Sequence, residues 1–99
     1  MSATTQLTQL LSDLVAIDSV NPDLVPGAAG EAQIAEFVAD WLTQAGIDVT
    51  IDEAAPGRPN VIGTVRGTAH GTNRSKSIML NAHMDTVGVA GMTDPFTPR

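Results

Sequence analysis

Leu7, Leu10, Leu11, Leu14 and Val15 recur at helical spacing between Thr4 and Ile17, with Gln6, Gln9, Ser12 and Asp13 between them. The pattern predicts an amphipathic helix. Thr4 or Thr5 can cap it by accepting from the free N–H groups of its first turn. Asp18-Ser19-Val20-Asn21-Pro22 ends it, because the residue before a proline is pushed out of the helical region. Pro22 to Gly30 holds two prolines and two glycines and reads as loop. The helical period returns from Glu31 to about Ala45, where Ile34, Phe37, Val38, Trp41, Leu42 and Ala45 form one stripe. Gly46 supplies a left-handed C-terminal cap, and Glu31 near the start suits the helix dipole. Glu36 and Asp40, four apart, have a spacing that could hold a ligand, but they read as a solvated face.

The period then changes from helical to two. Ile47-Asp48-Val49-Thr50-Ile51-Asp52 alternates strictly and predicts a strand with one exposed face. Pro56-Gly57-Arg58-Pro59 signals a turn, and Asn60 to Arg66 forms a second strand, with Gly63 as a bulge or a close approach. A polar loop from Gly67 to Ser75 leads to Ser77-Ile78-Met79-Leu80-Asn81-Ala82, apolar on both faces and so predicted as a central strand. The fold class that follows is α/β, with two helices followed by three strands of a mixed sheet. The first two strands form an antiparallel hairpin. The connection to the third is short for a parallel crossover, so antiparallel pairing is expected there too, unless an absent strand lies between. After Asp85 the chain is irregular, punctuated by Gly88, Gly91 and Pro95. A central strand needs partners on both sides, and the chain offers one. Residues 1–99 therefore read as a single unit, the front portion of something larger.

Composition narrows the function classes. The 99 residues suffice for one small domain, and 42% hydrophobic content permits a core. Eleven acidic residues against five basic ones give a net charge of −6. That charge opposes binding to a phosphate backbone or an anionic membrane, so neither nucleic acid nor membrane is expected as a partner. No apolar run has spanning length, and the N-terminus lacks the pattern of a secretory signal. A soluble, cytoplasmic protein is expected. Without cysteine, any metal must use histidine and carboxylate ligands.

The apolar segment ends on His83, with Asp85 two places later. Ligands in α/β sheets sit beyond the carboxyl ends of strands, where loops leave a crevice. A neutral imidazole binds zinc through one nitrogen while its other N–H seeks an acceptor, and a carboxylate two residues on can be that acceptor. His83 is thus the candidate metal ligand, and Asp85 the residue that would orient it. A strand-end histidine in solvent beside an aspartate making a turn hydrogen bond with Thr86 or Val87 would leave the same pattern. His70, the other histidine, falls in the polar loop and reads as solvent-exposed. No nucleophile elbow, phosphate-binding loop or dinucleotide fingerprint occurs.

Leu80-Asn81-Ala82-His83-Met84-Asp85-Thr86-Val87, followed by Thr93-Asp94-Pro95-Phe96, resembles the N-terminal part of a metallopeptidase family. That family includes acetylornithine deacetylase, succinyl-diaminopimelate desuccinylase, aminoacylase and glutamate carboxypeptidase. The resemblance takes in the opening helix, Ile17 to Pro22, Glu31, Ala45-Gly46 and Asn60-Val61-Ile62. Ala82 departs from it, where the family commonly has glycine. The resemblance implies the N-terminal portion of a three-layer αβα zinc-exopeptidase-like catalytic domain, without the lid or dimerisation domain. It implies that His83 ligates one of two zinc ions (cobalt or manganese being alternatives) and that Asp85 clamps its ring as part of the catalytic machinery. The activity implied is hydrolysis of the amide bond of an N-acyl amino acid or small peptide. Full-length members are often homodimers. A bridging aspartate, a Glu-Glu pair and a distal histidine would complete the site, and none can be placed in this chain. A fragment inactive alone is therefore expected. The competing expectation is a non-catalytic α/β module that joins a partner chain through its open sheet edge.

Overall fold

The computed structural model describes residues 2–68 and 75–99, an α/β fold of two helices and a two-stranded antiparallel sheet. His70 lies outside the described residues. The first helix, α1, spans Ala3–Val15. Its cap is Ser2, one residue before the threonines that the sequence suggested. Ser2 sits in extended backbone, and its Oγ accepts from the Thr5 N–H at 3.1 Å. The start shifts because Thr5 then occupies the third helical position, where its N–H is the orphan donor that a cap oxygen reaches. The apolar stripe of α1 is largely uncovered: Leu7 is 67% and Leu11 61% exposed, and no residue of the helix is buried.

The second helix, α2, spans Ala32–Gln44, and Gly46 follows it with a φ of 82°. The glycine makes a left-handed exit free of steric cost. Ile34, Ala35 and Ala39 are buried, whereas Trp41 stays 44% exposed. With Val20 these three form the buried apolar core. Neither helix is long and apolar enough to cross a membrane.

The sheet pairs β1, Asp48–Ala55, with β2, Arg58–Thr64. Their two-residue turn is Pro56-Gly57, with Gly57 at a φ of 74°. Proline followed by a positive-φ glycine is the residue choice of a type II turn. β1 runs past Asp52 through a register irregularity between Glu53 and Ala55, whereas β2 keeps its expected length but begins earlier, at Arg58 and Pro59 of the expected turn, and ends at Thr64 instead of Arg66. Glu53 Oε1 accepts from the Gly57 N–H at 2.7 Å. Val49 faces Gly63 across the ladder. Gly63 is a close approach, not a bulge: a Cβ there would lie 3.2 Å from both Ile47 Cγ2 and Leu42 Cδ1. The helix α2 rests on the sheet at the point where the side chain is missing.

Residues 77–82, expected as a third strand, join no sheet. They make no backbone hydrogen bonds among the described residues, and Ile78, Met79 and Leu80 are 87%, 83% and 89% exposed. The physical reason is the absence of any strand alongside them among the described residues, since an apolar segment forms a strand only against a ladder partner. The chain is correspondingly open. Its accessible surface of 7764 Å² compares with about 5,400 Å² for a compact monomer of its mass. Its radius of gyration of 16.3 Å compares with about 13 Å for a compact domain of this length.

The loop between the helices is fastened at two places. Arg58, opening β2, donates from Nε and Nη2 to the two carboxylate oxygens of Glu31, both at 2.7 Å, and from Nη1 to Asp23 at 2.8 Å. Glu31 is buried and makes no side-chain capping bond; its carboxylate is spent on this fork instead. Two parallel charge-assisted bonds of this kind are directional as well as strong. The second fastening is the candidate site itself.

Because Gly63 has no room for a branched side chain, Gly63→Val should destabilise the chain by about 1–3 kcal/mol through overpacking. Thermal or denaturant unfolding measures it. An unchanged midpoint would mean that Leu42 and Ile47 yield freely and that α2 is not registered by this glycine.

Candidate functional site

Two remote segments cross at the site. Asn21 N–H donates to the Thr86 carbonyl, and Thr86 N–H donates to the Ser19 carbonyl, both at 3.0 Å, forming a parallel bridge between Val20 and Thr86. Val20 is buried there, and its carbonyl accepts from Gly30 N–H at 3.0 Å. The ordinary features of the loop build its half of the crossing. Asp18 Oδ1 takes the Val20 N–H at 3.2 Å, and Asn21 Oδ1 takes the Asp23 N–H at 2.8 Å. The Asn21 carbonyl also accepts from Leu24 and Val25. Asn-Pro is a turn-initiating pair for this reason, with proline supplying the φ and asparagine the acceptors.

The crossing brings three functional side chains into line. Asn21 Nδ2 donates to Asp85 Oδ2 at 2.8 Å, and His83 Nδ1 lies 2.8 Å from Asp85 Oδ1. The same Nδ1 is 2.9 Å from the Asp85 carbonyl oxygen. Both neighbours of Nδ1 are acceptors, so Nδ1 carries the hydrogen. In the neutral ring the lone pair is then on Nε2, which makes no hydrogen bond among the described residues. The Asp85 side chain is 24% exposed and the His83 ring 84%. The carboxylate is therefore partly enclosed, and the imidazole stands out from it into solvent.

The amide of Asn21 holds the Asp85 carboxyl below its ordinary value of 3.8, opposed by partial burial and assisted by His83. Asp85 is ionised at neutral pH and can act only as an acceptor. Its folded-state value is depressed, so its contribution to stability is full above the unfolded value and fades as the pH falls through the folded one.

Among the described residues no group of three histidine, cysteine, aspartate or glutamate side chains gathers to hold a metal ion. His83 thus brings a single nitrogen donor, outward-facing and with its tautomer set. Asp85 faces the imidazole and Asn21 with its two oxygens. The sequence had singled out His83 and Asp85 but gave Asn21 no role of its own, only a place in the Ile17–Pro22 stretch that follows the first helix and enters the resemblance. The only sequence signal for Asn21 was its place in the Asp18–Pro22 stretch, which names no partner sixty-four residues away. Likewise, Arg58 read as a turn residue and Glu31 as a dipole partner, although they are bonded to each other. A cleft of about 400 Å³ lies elsewhere, between Leu11 and Val15 of α1 and the segment around Met92 and Pro95, away from these side chains.

No family model matches the chain, and no curated protein or solved structure does either.

The Asp85 carboxyl should titrate below 3.8, as followed by its carboxyl carbon shift in NMR. Asn21→Ala should move the midpoint upward, because the amide is the largest single influence. An unmoved midpoint would assign the depression to the imidazole.

Proposed function

We propose that this chain carries one half-shell of a metal-dependent amidohydrolase site, with His83 as a metal ligand and Asp85 as the group that orients it. The observation that carries the reading is the commitment of His83 Nδ1 to two Asp85 acceptors, which leaves a bare Nε2 turned outward. A metal-binding imidazole needs this arrangement, its second nitrogen held by a carboxylate or a carbonyl. The donor chemistry fits zinc, which accepts neutral imidazole and carboxylate and needs no thiolate. The resemblance of the His83 segment to the metallopeptidases supplies the reaction class, hydrolysis of an N-acyl amino acid or small peptide.

Zinc, when bound, would polarise an amide carbonyl and lower the pKa of water. His83 holds a donor nitrogen at a fixed position. Asp85, ionised, keeps the hydrogen on Nδ1 and so keeps the lone pair on Nε2. One imidazole leaves most of the coordination sphere of a zinc ion unfilled, since catalytic sites use about three protein ligands. The remaining ligands and the general base would come from further polypeptide, which would also complete the αβα catalytic domain and a third strand at residues 77–82. The resemblance suggests a homodimer, and the composition suggests the cytoplasm as its setting.

Zinc titration followed by imidazole ¹⁵N shifts tests the reading. The expected result is weak binding that shifts His83 Nε2 at lower zinc concentrations than any nitrogen of His70, and that His83→Ala abolishes. Equal response of the two histidines would remove the metal role. Tight binding would instead contradict the single-ligand count.

The exposure of Ile78, Met79 and Leu80 favours a second reading, a non-catalytic module that pairs with another chain. Exposed apolar backbone without ladder bonds invites strand addition. That reading predicts sedimentation of the free chain as a defined assembly, broken by Leu80→Lys and indifferent to zinc. Association strengthened by zinc would count against it.

A further inference from the structure

The His83 ring has little around it to hold it. Its side chain is 84% exposed, so its orientation depends on the hydrogen bonds at Nδ1 and not on packing. Both acceptors at Nδ1 belong to Asp85. A carboxylate can turn about its own Cβ–Cγ bond, where the energy wells are broad, so something must fix its plane for one oxygen to stay on the ring. Asn21 Nδ2, at 2.8 Å, takes Oδ2 and leaves Oδ1 to the imidazole. The amide cannot turn over without loss. Its Oδ1 accepts from the Asp23 N–H, and its Nδ2 faces a carboxylate, so the reversed amide would set donor against donor and acceptor against acceptor. The main chain of Asn21 is fixed as well, through its N–H to the Thr86 carbonyl.

We propose that Asn21 is a positioning residue for His83, acting through Asp85. The amide of Asn21 locks the carboxylate, and the locked carboxylate holds the imidazole in its Nδ1–H form with Nε2 turned outward. The lock reaches the other fastening of the loop, because Asp23, whose N–H caps the Asn21 amide oxygen, also accepts from Arg58. The consequence for metal binding rests on the proposed function; the tautomer does not.

Asn21→Asp separates the lock from the turn. The new carboxylate can still accept from the Asp23 N–H and is a good residue for the turn, but when ionised it has no donor for Asp85 and repels it. The experiment records imidazole ¹⁵N shifts of the 99-residue chain at neutral pH, without metal, for the unaltered sequence, Asn21→Asp and Asn21→Ala. Backbone amide shifts of Val20 and Thr86 monitor the crossing. The expected result is a predominantly Nδ1–H imidazole in the unaltered chain. In both variants that signature should be lost toward a tautomer mixture, with the amide shifts at the crossing retained in Asn21→Asp. An unchanged tautomer in both variants would overturn the proposal, leaving the Asp85 carbonyl as the true anchor. So would a loss seen in Asn21→Ala alone, which would assign the effect to the turn. A second arm titrates zinc: Asn21→Asp should weaken His83 binding about tenfold, the scale of outer partners of metal ligands. If zinc ignores His83 in every variant while the tautomer still responds, the positioning role stands and the metal reading falls. If zinc binds His83 and neither tautomer nor affinity responds, the positioning role falls and the metal reading stands.

Discussion

The crossing of residues 19–21 with Thr86 is the constraint on which the rest depends. Two backbone hydrogen bonds join segments that the sequence separates by more than sixty residues. Closing so long a loop costs entropy that two hydrogen bonds alone, each about 1 kcal/mol net, would hardly offset. The burial of Val20 and the bond from Asn21 to Asp85 add to them at the same place. The Arg58 fork on Glu31 and Asp23 fixes the far side of the loop to the hairpin. Helix, hairpin and the His83 segment meet through this loop.

Much of the local structure was legible in the sequence, because local rules dominate it. Both helices appear within about two residues of their predicted ends, the Gly46 cap has its left-handed φ, and the Pro56-Gly57 turn joins an antiparallel pair. These features follow from periodicity, capping chemistry and turn residues within a few positions. The third strand depends on a partner strand, and no local pattern supplies one. Ile78, Met79 and Leu80 read as buried because they are apolar, yet burial requires something to cover them.

The candidate site divides along the same line. His83 and Asp85 are two apart, so their contact was a local expectation. Asn21 and Asp85, or Arg58 and Glu31, meet only through the fold, and single-sequence reasoning has no access to such pairs. Buried Ser19, whose Oγ has no hydrogen-bond partner among the described residues, is another result of the crossing rather than of any motif. A site built in this way shares its hydrogen bonds with the fold. What orients the imidazole also closes the loop.

Amide hydrogen exchange at Asn21 and Thr86 tests that claim most directly, because these two N–H groups are the crossing. Both should be protected to the same degree as each other and more strongly than the flanking loop amides. Asp85→Ala should lower protection at both together. Exchange at the rate of unstructured backbone would contradict that claim, as would protection at one amide without the other. Either result would leave His83 and Asp85 as neighbours on a free segment with no crossing to place them.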